Sequence, residues 1–177
     1  GYEARGKNVG IIGFGNVGKR FSEICLMLGM NVSVFSKSFA NISKNYPNIN
    51  PVSFNELITN SDIISFHCKP SSNGEPLINL DDLKLMKRNA FIINTVRGGL
   101  VNEGDLKIAL DQDLISGAAI DVFTNEPAKE NILFKTKNLI LTPHIAASTY
   151  EAQIIVAEKI ALQISNYLNS GEIINSV

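Results

Sequence analysis

Apolar residues fall along this chain in short solid blocks, separated by longer stretches where they recur every three or four positions. Val9 to Gly13 (VGIIG) is one such block, and a continuous apolar run of this kind fits a strand buried on both faces. From Asn16 to Leu28 the spacing is helical, with Val17, Phe21, Ile24 and Leu28 on one side. Gly29 follows where a left-handed residue ends a helix at little cost. Val32 to Phe35 is the next strand. Ala40 to Pro51 is rich in Asn, Ser and Pro and predicts a loop with at most one helical turn.

The same alternation runs to the end. Ser53 with Glu56 makes a capping box for a helix over Phe54 to Thr59. Asp62 to His67 is a strand, Leu80 to Lys87 a short helix and Ala90 to Asn94 a strand. Asn102 caps a helix over Glu103 to Gln112. Gly117 to Asp121 and Leu139 to Thr142 are the last strands, and Ser148 with Glu151 opens a long final helix to about Leu168. Strands of buried type alternating with helices predict an α/β fold: a doubly wound parallel sheet with helices on both faces. No repeat, low-complexity tract or linker divides the chain, so residues 1–177 are expected to form one domain.

The first strand runs into Gly13-Phe14-Gly15-Asn16-Val17-Gly18, a G-x-G-x-x-G at a strand-to-helix junction. Gly13 permits the tight turn, Gly15 lets a pyrophosphate approach the backbone, and Gly18 lets the helix lie close to the strand. The amides of Asn16 and Val17 open the helix and face the phosphates, helped by the helix dipole. This is the Rossmann-type arrangement for a dinucleotide. A purely structural turn is the alternative, but strand, turn, helix and second strand all stand in order. The acid that usually meets the adenosine ribose is replaced by Ser36, eighteen residues after Gly18. Ser36 does not repel a 2′-phosphate, Lys37 can pair with one, and Ser36 and Ser38 can donate hydrogen bonds to it. NADP is therefore the expected cofactor and NAD the alternative. The competing reading is a plain polar exit from the strand.

Three segments bring ionisable residues to the carboxyl ends of later strands, the edge where open α/β sheets bind ligands. INTVRGGL (93–100) carries Arg97, AIDVFTNEP (119–127) carries Glu126, and LTPHIAAST (141–149) carries His144. The three suit reversible reduction of a 2-keto acid. Arg97 offers a planar, permanent cation for a carboxylate. His144 can give the carbonyl oxygen its proton. Glu126 can favour the imidazolium and orient its ring. Singly, each also reads as an ordinary surface, loop or turn residue.

Together with SDIISFHCKP (61–70) and LKLMK (83–87), these segments resemble the D-isomer-specific 2-hydroxyacid dehydrogenases in order and spacing, over nearly the whole chain. The resemblance implies Arg97 as substrate anchor, Glu126 as partner of the histidine and His144 as proton donor and acceptor. It implies Asp121 near the nicotinamide carboxamide, Thr95 as a backbone cofactor contact, and Asn16 and Val17 at the pyrophosphate. His67 matches a position along the adenosine cleft, where a hydrogen-bonded structural histidine fits equally well. Ser71 to Pro76 is shorter than the family's usual loop and lacks its Thr.

Family members carry a substrate domain that this chain lacks, so it is expected to be the cofactor half, with residues from about 169 as a tail leading back to that domain. Alone it is expected to bind dinucleotide with little turnover. The implied activity is hydride transfer between NAD(P)H and a short 2-keto or D-2-hydroxy acid such as hydroxypyruvate, glyoxylate or glycerate. A redox-sensing or corepressor-type protein on the same fold is the alternative. The resemblance also implies a homodimer.

Composition narrows the partners further. A hydrophobic fraction of 45% and a net charge of -1 give no electrostatic reason to expect nucleic acid or an anionic membrane. Gly1 opens a polar segment without a signal-peptide pattern. Cys25 and Cys68 lack metal-ligand spacing and read as small core residues. No metal is expected, and a reducing cytoplasm is the expected compartment.

Overall fold

The computed structural model describes residues 1–174 and separates into two compact units, Gly1–Pro143 and His144–Val177. The first unit holds a parallel sheet of β1 (Asn8–Ile12), β2 (Asn31–Phe35), β3 (Ile49–Pro51), β4 (Ile63–Phe66), β5 (Phe91–Asn94), β6 (Gly117–Ile120) and β7 (Leu139–Leu141). Their order is β3-β2-β1-β4-β5-β6-β7. The chain winds outward from β1 to β3, then crosses back to β4 beside β1. The direction of winding therefore reverses between β1 and β4, which makes the crevice at their carboxyl ends the favoured ligand position.

The helices of this unit are α1 (Asn16–Met27), α2 (Phe39–Ile42), α3 (Phe54–Asn60), α4 (Leu80–Leu85) and α5 (Glu103–Asp111). Alternate residues of β1 serve opposite faces, as the pleat requires. Val9 and Ile11 pack with Cys25 of α1, Val32, Val34 and Phe39, whereas Ile12 joins the core beneath α3, α4 and α5. That larger core contains Leu57, Leu83 and Leu106 from those helices and Ile64, Phe66, Ile92 and Ile120 from the strands. The second unit contains α6 (Tyr150–Ser170), ended by Gly171 at φ 71°. No described helix is long and apolar enough to cross a membrane.

The doubly wound parallel sheet is as expected, with three local differences. Ile49–Pro51 is an edge strand rather than loop; only Ile49 is buried, so three residues ending in proline give no periodic signal. In α1 the buried residues are Gly18, Ser22 and Cys25, while Val17 is 67% exposed and Leu28 is 55% exposed. Small residues let the helix approach the strand closely, and the Ser22 hydroxyl donates to Gly18 O at 2.7 Å, so burying it strands no polar group. The cap of α6 is Thr149, whose side chain accepts from the Ala152 amide, rather than Ser148. The last three residues of the expected tail lie outside the described residues.

Asp62, just before β4, accepts the Asn8 amide through Oδ2 and pairs with Lys87 through Oδ1, each at 2.9 Å. Desolvation pushes its pKa up, but the Asn8 amide and the charges of Lys87 and Lys7 outweigh it and hold the group below its ordinary value. A depressed folded pKa gives stability that is full above the unfolded value of about 3.9 and is lost as pH falls through the folded value. Asp62→Asn should therefore lower stability at neutral pH and flatten its decline on acidification, as measured by denaturant titration across that range.

Candidate functional site

The glycine turn joins β1 to α1 under tight steric control. Gly13 has φ +97°, and a Cβ there would lie 2.4 Å from the carbonyl oxygen of His67. Its amide donates to Phe35 O at 2.9 Å, and the His67 amide donates to Ile12 O at 2.7 Å. The ends of β1, β2 and β4 are thus held together around one residue without a side chain. Above Gly15, by contrast, a Cβ would meet nothing within 4 Å.

Electrostatics single out the same turn. α3, α4, α5 and α6 each begin with a Ser, Asn or Thr whose side chain accepts a backbone amide, and each has an acid in its first turn. α1, whose N-cap is Gly15, has no side-chain cap and no acid in its first turn, a lack it shares only with the four-residue α2 among the described α-helices. Its first amides and the positive end of its dipole are left for an outside anion. The residues therefore fit a dinucleotide: Gly15 for the close approach, and Asn16 and Val17 for the pyrophosphate. Ser36 follows the Phe35 carbonyl that holds Gly13. Its hydroxyl lies 3.1 Å from that of Ser38, and Lys37 between them is exposed. Among the described residues no carboxylate pairs with Lys37.

A second group of residues gathers at the ends of β5 and β6. Asn94 is buried, and its side chain closes the following turn: Oδ1 accepts the Val96 amide at 3.2 Å and Nδ2 donates to Arg97 O at 2.9 Å. Thr95 and Arg97 are exposed on this turn, and Arg97 Nη1 donates to Val96 O at 2.6 Å. The Asp121 amide donates to Asn94 O at 2.9 Å; its buried carboxylate accepts from the Thr142 hydroxyl. The Glu126 carboxylate accepts the Phe123 amide at 2.8 Å. A Cβ on Gly98 would lie 1.9 Å from Phe123 O, so the Arg97 turn and the Glu126 loop meet backbone to backbone. His144 opens the second unit with φ 55°, a left-handed conformation uncommon outside glycine and often found at functional positions.

Asn94 and Gly98 carry this arrangement, and neither is among the residues that the sequence alone marks as candidates. An Asn whose side chain bonds the backbone two residues on is a known turn former, so Asn94 at the end of a strand was a usable signal. No described cluster of His, Cys, Asp or Glu could hold a metal ion.

A glycine turn at the switch point of a parallel sheet, followed by an uncapped helix, defines a dinucleotide-binding domain. The chain belongs to the D-isomer specific 2-hydroxyacid dehydrogenases, whose NAD binding domain matches residues 1–146. It is 38% identical over 161 residues to a glyoxylate reductase of Thermococcus litoralis, covering 91% of this chain and 49% of that enzyme. Among solved structures it resembles an acyclic imino acid reductase in complex with NADPH and D-Arg. That match has a TM-score of 0.89 and 34% identity, over 99% of this chain and 55% of the other. It also resembles the NAD-complexed D-isomer specific 2-hydroxyacid dehydrogenase of Lactobacillus delbrueckii ssp. bulgaricus. There the TM-score is 0.85 and the identity 28%, over 97% of this chain and 56% of the other. The chain thus spans about half of these relatives.

His67 lies behind the glycine turn. Its Nε2 is 2.9 Å from Ser65 Oγ, its ring centroid is 5.0 Å from that of Phe21, and its buried Nδ1 has no hydrogen-bond partner among the described residues. Burial pushes its pKa down to about 4. A neutral folded His67 gives stability that is full above the unfolded value of about 6.5 and is lost as pH falls from there through about 4. The ring resonances of His67 should accordingly titrate near 4 in the folded protein. A midpoint near the unfolded value would mean that the ring is not buried.

Proposed function

We propose that this chain is the cofactor-binding and proton-transferring half of an enzyme that reduces a short 2-keto acid, glyoxylate or hydroxypyruvate, with NADPH. The observation that carries the reading is the backbone contact at Gly98, which sets the Arg97 turn against the loop of Glu126 at the ligand edge of the sheet. A cation and a carboxylate carried on two turns locked backbone to backbone suit a substrate that brings its own carboxylate and needs a proton at its carbonyl oxygen.

The bound dinucleotide would supply or accept the hydride. Gly15, Asn16 and Val17 would hold its pyrophosphate, and Thr95 and Asp121 its nicotinamide end. Arg97 would bind the substrate carboxylate with guanidinium N–H groups not engaged by Val96 O. His144 would protonate the carbonyl oxygen, and Glu126 would favour its imidazolium; these roles follow from the sequence correspondence. Holding the reacting groups in place removes much of the entropic barrier to their encounter.

A cytoplasmic location and a homodimer belong to the same reading.

Two experiments test the reading in the protein that carries this chain. His144→Ala should lower turnover of glyoxylate by roughly 10²–10⁴-fold while leaving dinucleotide affinity nearly intact. Equal loss of both would make His144 structural.

The cofactor choice is tested by titrating NADPH and NADH. The first should bind more tightly, because Lys37 would give the 2′-phosphate a charge-assisted contact of about 1.5–3 kcal/mol, less where solvent screens it. Lys37→Ala should weaken NADPH alone, and Ser36→Asp should invert the preference by setting a carboxylate against the phosphate. Tighter binding of NADH by the unaltered protein would reduce Ser36, Lys37 and Ser38 to a polar strand exit.

A further inference from the structure

The segment that leaves β6 at Asp121 and carries Glu126 has no regular structure, yet one side chain ties it down at two places. Glu103, the first residue of α5, accepts the Thr124 amide through Oε1 at 2.7 Å and the Asn131 side-chain Nδ2–H through Oε2 at 2.8 Å. Asn131 Oδ1 in turn accepts the amide of Leu133, which is fully buried. Glu126 lies between these two ties.

An acid in the first turn of a helix has an ordinary role in complementing the helix dipole. That role is already served in α5: Asn102 caps the Asp105 amide at 3.0 Å, and Asp105 is itself an acid of the first turn. Both Glu103 oxygens bond instead to the 121–132 segment. The inner side of that segment is the surface that Gly98 touches, one residue beyond Arg97; a Cβ there would lie 2.5 Å from the amide nitrogen of Thr124, the amide that Glu103 holds. Glu103 and the Arg97 turn thus both meet the Phe123–Thr124 peptide, one through a hydrogen bond to the Thr124 amide and the other by close backbone packing.

We propose that Glu103 is a positioning residue: it clamps the Glu126 segment against the Arg97 turn and so fixes the spacing of the substrate-facing cation and carboxylate. The proposal rests on the reading of Arg97 and Glu126 as the substrate end of the site. Glu103 itself touches neither substrate nor cofactor. Its effect should appear in the handling of the keto acid and not in dinucleotide binding, since the glycine turn lies on β1 and is built without it.

The test uses the protein that carries this chain, with glyoxylate and NADPH. Glu103→Gln retains the side-chain length and one acceptor oxygen, but sets an N–H donor against either the Thr124 amide or the Asn131 amide. It should lower kcat/KM for glyoxylate by up to roughly 10²-fold, the scale expected when a reacting group is displaced by about 1 Å. Dinucleotide affinity should stay unchanged. Hydrogen exchange should quicken at the Thr124 amide and not at Ile64 in the core.

Adding Asn131→Asp to Glu103→Gln exchanges donor and acceptor across the contact and should recover much of the lost kcat/KM, which a dipole or general stability role would not allow. If Glu103→Gln does not fold, Asn131→Ala removes one tie and leaves Glu103 in place; it should lower kcat/KM in the same direction. Wild-type kcat/KM with a quickened Thr124 amide would overturn the clamp, as would equal losses in keto-acid turnover and dinucleotide affinity. Arg97→Ala and Glu126→Gln run in parallel separate the two ideas. If they abolish glyoxylate turnover and Glu103→Gln does not change it, only the clamp fails. If they too leave turnover intact, the assignment of the substrate end fails with it.

Discussion

Two backbone segments can approach within carbonyl contact only where a side chain is absent, and the ligand edge of this sheet is assembled around two such approaches. Gly13 brings the end of β1 onto the His67 carbonyl, and Gly98 brings the turn after β5 onto Phe123 and Thr124. Each draws a loop carrying candidate chemistry onto a neighbouring strand end. A methyl group at either place would force backbone, not a flexible side chain, to move. The open amides at the start of α1 and the placement of Arg97 both depend on these contacts.

Polar side chains then fix what the glycines allow. Asn94 closes the Arg97 turn with both ends of its amide, and Glu103 holds the following loop with both oxygens. Such bonds are worth little net when formed but costly when one partner is left buried and unpaired. They therefore specify one loop arrangement more than they add stability. The helix starts follow the same economy in reverse. Four helices satisfy their own first amides with a side-chain cap, and of the described helices longer than about one turn only α1 does not. The unfilled helix lies at the crevice between β1 and β4, where the sheet topology already favours a ligand.

Much of this was legible in the residues. Solid apolar blocks gave the buried strands, and Ser53 with Glu56 and Asn102 marked helix starts that the structure reproduces. The G-x-G-x-x-G was informative because a strand preceded it and a helix followed. The misread face of α1 has a simple cause: hydrophobic spacing scores Val17 and Leu28, but close helix-to-strand packing selects the small Gly18, Ser22 and Cys25. β3 escaped notice because three residues at an edge leave only Ile49 to bury. Glu103 read only as the start of a helix, since its partners lie 21 and 28 positions away in a segment without periodicity.

The distribution of charge around the crevice favours a particular order of recognition. Lys37 stands exposed at the end of β2, and the open positive end of α1 lies beside the turn that β2 supports through Gly13. Both attract a polyanion before any fitted contact forms, and the effect weakens with salt. Arg97 lies on a different strand end, with one guanidinium nitrogen already bonded to Val96 O. The keto acid proposed as substrate, singly charged, would gain less from long-range attraction and more from geometry, which would call for a rigid Arg97 turn where the glycine turn needs only to be open. The open space above Gly15 and the hydrogen-bonded, closely packed turns around Asn94, Gly98 and Thr124 fit that difference.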